Sequence, residues 1–316
     1  MQRPARPGHR LPVLLGHEST GVVVAKGRAV THVKEGDHVI TTWVDRDSAT
    51  TDQPMVMHAL NDRKQYIATW KGREVMHSAA TWAEYAVAQE RVVVPLPNDF
   101  PTDVTSIIGC AVMTGAGAIV NTLQVRPGQS VAVFGAGGIG LCAISAAAIV
   151  DAHPVIAVDV NDAKLEFARR FGATDVVDGK KGDPAQAIKE LTGGGVDFAL
   201  DAIGLPSTQE QILRAVRPGF SGLNKGGTAL LIGITPPDAK AILDTSLFVG
   251  NRWFTRTSGG DCKPDRDFPI FLRWLRDGKL KLDQLVTNRY QLDKINEAVD
   301  DLEHGRILGR GILTFN

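Results

Sequence analysis

Ser130-Val131-Ala132-Val133-Phe134-Gly135-Ala136-Gly137-Gly138-Ile139-Gly140 joins a short apolar run to a segment that stays apolar through Val150. The first part reads as a buried strand, and the second, residues 139–150, as a helix with almost no polar face. Between them the glycines fit G-x-G-x-x-G at Gly135, Gly137 and Gly140. Alone that pattern is weak. It gains force from the strand before it, the helix after it, and a further strand over residues 154–158 followed by Asp159. Each part has a physical task. Gly135 permits a tight turn, Gly137 leaves room for a pyrophosphate against the backbone, and Gly140 lets the helix pack closely on the sheet. The helix start at Gly138 and Ile139 offers free N–H groups and the positive end of its dipole to phosphates. Asp159 is placed to accept hydrogen bonds from the adenosine ribose and to repel a 2′-phosphate, which points to NAD rather than NADP. A plain glycine turn with Asp159 as a strand-end cap is the bland alternative.

Downstream of this loop, strand-like and helix-like segments keep alternating. Helical segments cover residues 162–171 (DAKLEFARRF), 184–191 and 207–216. Strands cover residues 175–177, 197–201 (DFALD) and 228–233 (TALLIG), and three glycines at 193–195 mark the turn before the fourth strand. Such alternation predicts βαβ units around a parallel, doubly wound sheet, the Rossmann arrangement. Near residues 248–253 the repeat is expected to stop. Upstream, residues 21–24, 38–41 and 91–94 read as short strands, and residues 44–80 as a polar, turn-rich excursion. The tail offers amphipathic helices over 268–276 and 292–304 and a closing strand over 311–315.

The composition narrows the partners. Lys and Arg together number 35, as do Asp and Glu, so the formal charge is zero and no global field attracts nucleic acid or an acidic membrane. No apolar run is long enough to span a bilayer, and the basic, proline-rich residues 1–10 lack the apolar core of a signal peptide. The three cysteines, Cys110, Cys142 and Cys262, make no disulfide framework. The expected setting is the reducing cytoplasm.

Two residues outside the glycine loop carry metal chemistry. His17, in Leu15-Gly16-His17-Glu18, and Cys110, in Ile108-Gly109-Cys110-Ala111, supply an imidazole and a thiolate, both good zinc ligands. A catalytic zinc needs three protein ligands and an open position. Spacing alone leaves a buried cysteine and a satisfied histidine equally open.

These residues lie within ordered motifs that resemble the zinc-dependent medium-chain alcohol dehydrogenases: LPVLLGHESTGVV at 11–23, VKEGDHV at 33–39, WAEYAV at 82–87, IGCAVMTGAGA at 108–118, VRPGQSVAVFGAGGIG at 125–140, GVDFALDAIG at 195–204, LLIGITPPDA at 230–239 and KINEAVDDLEHG at 294–305. The resemblance implies a Rossmann domain inserted in a split, β-rich GroES-like catalytic domain. Its expected bounds are residues 1–111 for the catalytic domain, 112–254 for the NAD-binding domain and 255–316 for the return to the catalytic domain. It implies hydride transfer between an alcohol and NAD, with zinc polarising the alcohol oxygen, and a homodimer or homotetramer.

By the same resemblance His17 is similar to the family's histidine ligand and Cys110 to its second cysteine ligand. Glu18 resembles the acidic residue beside the metal and is the nearest candidate for a third ligand. Thr114 resembles the residue packed on the nicotinamide face, Lys164 the lysine near the adenosine ribose, and Arg310 the arginine that contacts the pyrophosphate. Family members carry a longer stretch before their GHE segment, with the first cysteine ligand and the start of a proton relay. Here the GHE segment begins at Gly16, so the catalytic domain is expected to be incomplete at its N-terminus. Residues 44–80 hold no cysteines, and His58 and His77 make no recognisable site, so one catalytic zinc and no structural zinc is the expectation. The alternative is an NAD-binding homologue with impaired catalysis. A zinc-independent, quinone-type reductase fits less well, since such relatives lack this histidine and cysteine.

Overall fold

The computed structural model describes residues 13–46, 67–77, 80–220 and 222–315, with no side-chain detail for most of 67–77. Its centre is a six-stranded parallel sheet: β7 (Val131–Phe134), β8 (Val155–Asp159), β9 (Asp175–Asp178), β10 (Phe198–Asp201), β11 (Thr228–Leu231) and β12 (Trp253–Arg256). The strands lie in the order β12-β11-β10-β7-β8-β9, so the order reverses between β7 and β10. That reversal is the topological switch point, where open α/β sheets bind ligands beyond the carboxyl ends of their strands. The sixth strand shows that the repeat continues through Arg256, past the point where its pattern fades in the sequence.

The connecting helices are fixed by local chemistry. Asn161 caps α4 (Asp162–Arg169) by accepting the Ala163 N–H at 2.9 Å. Asp183 caps α5 (Pro184–Thr192), which starts on a proline and stops at the left-handed Gly193. The apolar helix α3 (Gly138–Ile149) has no polar face because it lies between β7 and β8 on one side and α2 (Ala111–Gly117) on the other. Eight of its residues, from Gly140 to Ala147, are buried. A single apolar cluster therefore runs from Ile40 and Val94 through Ile108 and Met113 to Leu141 and Val133, tying the flanking β-rich part to the sheet. No single helix among the described residues is long and apolar enough to cross a membrane.

The β-rich part is smaller. β2 (Ser19–Val22), β3 (His38–Thr41) and β6 (Val93–Pro95) form an antiparallel sheet. β1 (Val13–Leu14) pairs in parallel with β5 (Arg73–His77), which forms a hairpin with β4 (Ile67–Trp70). The tail adds α7 (Pro264–Arg276), α9 (Ile295–Glu303) and a parallel pair, β13 (Val286–Gln291) with β14 (Arg310–Thr314). His58 and most of the excursion lie outside the described residues, as does the basic segment 1–10. Residues 102–122, which carry no clear periodicity, form α1 (Thr102–Thr105), a 3-10 turn, α2 and a π turn.

Candidate active site

The glycine loop is built as its residue types require. Gly135 sits at φ +99°, and its N–H donates to the Val158 carbonyl at 2.7 Å. Gly137 caps α3, accepting the Leu141 N–H at 2.8 Å. Asp159, closing β8, binds the loop from below: its Oδ2 accepts the Ala136 N–H at 2.8 Å and its Oδ1 the Asn161 N–H at 2.9 Å. Each oxygen keeps a lone pair for a further donor. Lys164, on α4, opens onto the same cleft as Gly137 and Gly138. Ile139 packs against the core behind them.

The second cluster comes from three distant parts of the chain. His17 follows Gly16, whose φ of +94° turns the segment against Thr81 and Trp82; a Cβ at Gly16 would stand 2.5 Å from the Trp82 nitrogen. Cys110 lies at the break between the 3-10 turn and α2, and its carbonyl accepts the Thr114 N–H at 2.8 Å. Thr42 fixes the preceding residue by donating to the Gly109 carbonyl at 2.8 Å. The result places His17 Nε2 3.2 Å from Cys110 Sγ. Glu18 does not join that pair. Its Oε2 accepts the Ala111 N–H at 3.0 Å and its Oε1 is ion-paired with Arg310. Arg310 also packs its side-chain carbons over Gly138, and its buried Nε has no partner.

Electrostatics suit a neutral imidazole. Desolvation by the surrounding protein, then the positive charge of Arg310, push the His17 pKa down. Burial pushes the Cys110 thiol up, partly offset by the Trp43 and Thr114 side chains beside it. His17, Glu18, Gly137, Gly138, Lys164 and Arg310 all line one cleft of about 1390 Å³. The glycine loop and His17 therefore face a common space, with the Cys110 sulfur 3.2 Å from the imidazole. Thr42, Thr81 and Trp43 were not singled out from the sequence; they are ordinary apolar-flanked residues whose role appears only when distant segments meet.

Residues 1–98 match the alcohol dehydrogenase GroES-like domain, and residues 138–277 match the zinc-binding dehydrogenase domain. Geraniol dehydrogenase of Castellaniella defragrans is 34% identical over 325 residues, which cover 96% of this chain and 84% of that protein. The chain belongs to the zinc-dependent medium-chain alcohol dehydrogenases. Alcohol dehydrogenase 1 of Pisum sativum is 31% identical over 315 residues, covering 93% of this chain and 80% of that one. The crystal structure of benzyl alcohol dehydrogenase from Acinetobacter calcoaceticus superposes with a TM-score of 0.86 at 32% identity, covering 97% of this chain and 85% of that chain. This medium-chain dehydrogenase is an oxidoreductase acting on alcohols, in a family that depends on zinc and NAD(P). The activities named for its relatives favour an enzyme over a non-catalytic homologue.

The family's metal can be tested against the residues present. Zinc holds imidazole nitrogen at about 2.0–2.1 Å and thiolate sulfur at about 2.3 Å, which at a tetrahedral angle sets nitrogen and sulfur about 3.5 Å apart. The observed 3.2 Å is close to that spacing, and a neutral imidazole is the form that binds. Two ligands fit. No group of three His, Cys, Asp or Glu side chains gathers among the described residues, so the full set of three does not.

Proposed function

We propose that this dehydrogenase transfers hydride between NAD and a primary aromatic or aliphatic alcohol, with its aldehyde as product. The observation that carries the reading is the shared cleft, with Arg310 touching Gly138 of the glycine loop and Glu18 beside His17. In this reading Gly135, Gly137, Gly138, Ile139 and Gly140 cradle the pyrophosphate. The Arg310 Nε–H, which has no partner and lies beside Gly138, is the donor a phosphate oxygen takes in this reading. Asp159 and Lys164 hold the adenosine ribose, and the spare lone pairs of Asp159 accept its hydroxyls, which selects NAD. Thr114, buried one turn into α2, backs the nicotinamide.

His17 and Cys110 serve as metal ligands, and Glu18 reaches the metal only by releasing Arg310. The domains divide at about residues 1–111, 112–254 and 255–316, with the second boundary moved to Arg256 so that β12 stays whole in the middle one. Two copies pair through the exposed edge strand β12. The names of the geraniol and benzyl alcohol dehydrogenases support alcohols activated by an adjacent double bond or ring. The test is reduction of NAD and of NADP, followed at 340 nm, with benzyl alcohol, geraniol and ethanol in zinc-containing buffer. Turnover with NAD well above that with NADP is expected. Tight NADH binding with no turnover of any of the three alcohols would refute the proposal.

A further inference from the structure

A second cavity lies apart from the cleft, between α7 and the segment that begins with β6. Its volume is about 440 Å³, within the ordinary range of small-molecule sites, and it shares no lining residue with the cleft. Val94, Phe100, Phe268 and Leu272 are buried and form an apolar floor. Pro95 and Pro97 are exposed and line it nearer the solvent. Phenyl and proline rings therefore make up much of the wall and present flat faces. We propose that this cavity binds a small aromatic carboxylate, with the ring on the apolar floor and the carboxylate on Arg273 at the mouth.

Three guanidiniums line the cavity, and their engagements differ. Arg46 Nε is paired with Asp265 Oδ1 at 2.8 Å, and Asp265 itself lines the cavity. Arg276 Nη2 is paired with Asp99 Oδ2 at 2.6 Å, and its guanidinium stands 4.7 Å from the centroid of the Phe100 ring. Arg273 is exposed and has no ion pair or hydrogen bond among the described residues. The two pairs cancel, so one positive charge is left over at the mouth, above an apolar floor. That combination selects a molecule with one anionic end and one apolar end. A carboxylate matches the planar fork of a guanidinium through two parallel N–H···O bonds. A ring matches the flat faces of Phe100 and Phe268. A neutral aromatic molecule would leave Arg273 unpaired, and a bare anion would leave the floor to water. A ligand seated there touches both α7 and the β6 segment, so it stabilises the folded chain by mass action.

Calorimetric titration of the full chain with benzoate at pH 7 tests the proposal, with benzamide and acetate as the neutral and the ring-free comparisons. Arg273→Glu reverses the charge at an exposed position that the fold tolerates, and thermal melting checks this. Lys164→Ala removes a cation from the cleft and reports any benzoate bound there. The expected result is one benzoate per chain, with affinity at least tenfold weaker for benzamide, for acetate and for benzoate with Arg273→Glu. Lys164→Ala binds benzoate as the parent chain does. Benzoate raises the melting temperature of the parent chain and leaves that of Arg273→Glu unmoved. Absence of benzoate binding, or equal binding by Arg273→Glu, would overturn the site. Benzamide or acetate binding as tightly as benzoate would overturn the class of ligand. Binding lost in Lys164→Ala and kept in Arg273→Glu would place the carboxylate in the cleft instead.

Discussion

Gly137 and Gly140 belong to one motif but answer to different constraints, and substituting each by alanine separates them. At Gly140 an added Cβ would stand 1.8 Å from the Gly135 carbonyl oxygen, and contacts under 3.0 Å essentially never occur. Accommodating it means opening the turn between β7 and α3 by about 1.2 Å. Helix α3 cannot drift outward, because its buried face is wedged between the sheet and α2. The overlap is therefore met by distorting the core, at about 3 kcal/mol. For a long chain, at about 2 °C per kcal/mol, the melting temperature falls by about 6 °C. Gly137 is the opposite case. Its φ of −87° and ψ of −172° suit any residue, and nothing stands within 4 Å of its missing Cβ. Gly137→Ala should change stability by no more than about 0.5 kcal/mol. The space it fills is the approach to the α3 N-terminus, where the proposed function seats the pyrophosphate against backbone, so NADH affinity should fall at least about tenfold, or about 1.4 kcal/mol. Thermal melting of the ligand-free chain and fluorescence titration with NADH measure the two quantities. A Gly137→Ala protein that binds NADH normally would refute the placement of the cofactor. One that melts early would refute the reading of its conformation.

Three further outcomes follow from other parts of the molecule. Asp159→Gly removes the carboxylate that would meet a 2′-phosphate, together with its bonds to Ala136 and Asn161; the ratio of kcat/KM for NAD over NADP should drop at least about tenfold, or about 1.4 kcal/mol, and an unchanged ratio places selectivity elsewhere. Asp267 is buried and accepts from Arg266 at 2.6 Å, the Lys263 N–H at 2.9 Å and Asn121 at 3.0 Å. Burial alone would raise its pKa, but the Arg266 guanidinium, the Lys263 N–H and the Cys262 thiol overcome it and hold the carboxyl below the ordinary carboxylate value. A depressed folded pKa contributes stability that is present above the unfolded value, near 3.9, and is lost as pH falls through the folded one. Asp267→Asn should cost about 2–3 kcal/mol at pH 7, and its deficit in urea midpoint should shrink below pH 4; a constant deficit would show that the charge is not the source. Val249 is 80% exposed and lies beside the edge strand β12, where Trp253 is 52% exposed. If β12 is the pairing edge, as proposed, Val249→Asp should lower the light-scattering mass toward that of one chain, and an unchanged mass removes β12 as that edge.

The Rossmann half was legible because its signals are local. Asn161 and Asp183 stand beside the helices they cap, and each strand is an apolar run bounded by turns. What escaped the sequence had non-local causes. Residues 102–122 are packed on nearly every side, so the string IIGCAVMTGAGAIV has no polar face from which a helical period could be read. Its small residues are set by neighbours: a Cβ at Gly115 would meet the Ile139 carbonyl at 2.4 Å, and one at Gly117 the Gly260 carbonyl at 2.6 Å. Strand β12 was missed for the reverse reason. As an edge strand it exposes Trp253 and Arg256, and its WFTR sequence lacks the buried run of its neighbours. The 91–94 strand begins late because Val92 closes a 3-10 turn on Gln89 before pairing starts.

At the active site, residue types were legible and their engagements were not. His17 and Cys110 are chemically conspicuous anywhere in a sequence, yet their 3.2 Å approach depends on Thr42 holding Gly109 and on Gly16 folding against Trp82. Glu18 looked free because its partner Arg310 is 292 positions away. That one ion pair changes the argument about the metal. A carboxylate adjacent to a ligand in sequence is an easy third donor only if nothing else claims it, and here a guanidinium and a backbone N–H both do. Arg310 is in turn held in place by Gly138, since any Cβ there would stand 2.1 Å from its Cδ. Gly138, which the proposed reading places at the phosphate, thus also seats the arginine that occupies Glu18. The glycine loop and the segment carrying His17 and Glu18 are mechanically linked through Arg310, so a substitution at Gly138 should be felt at both.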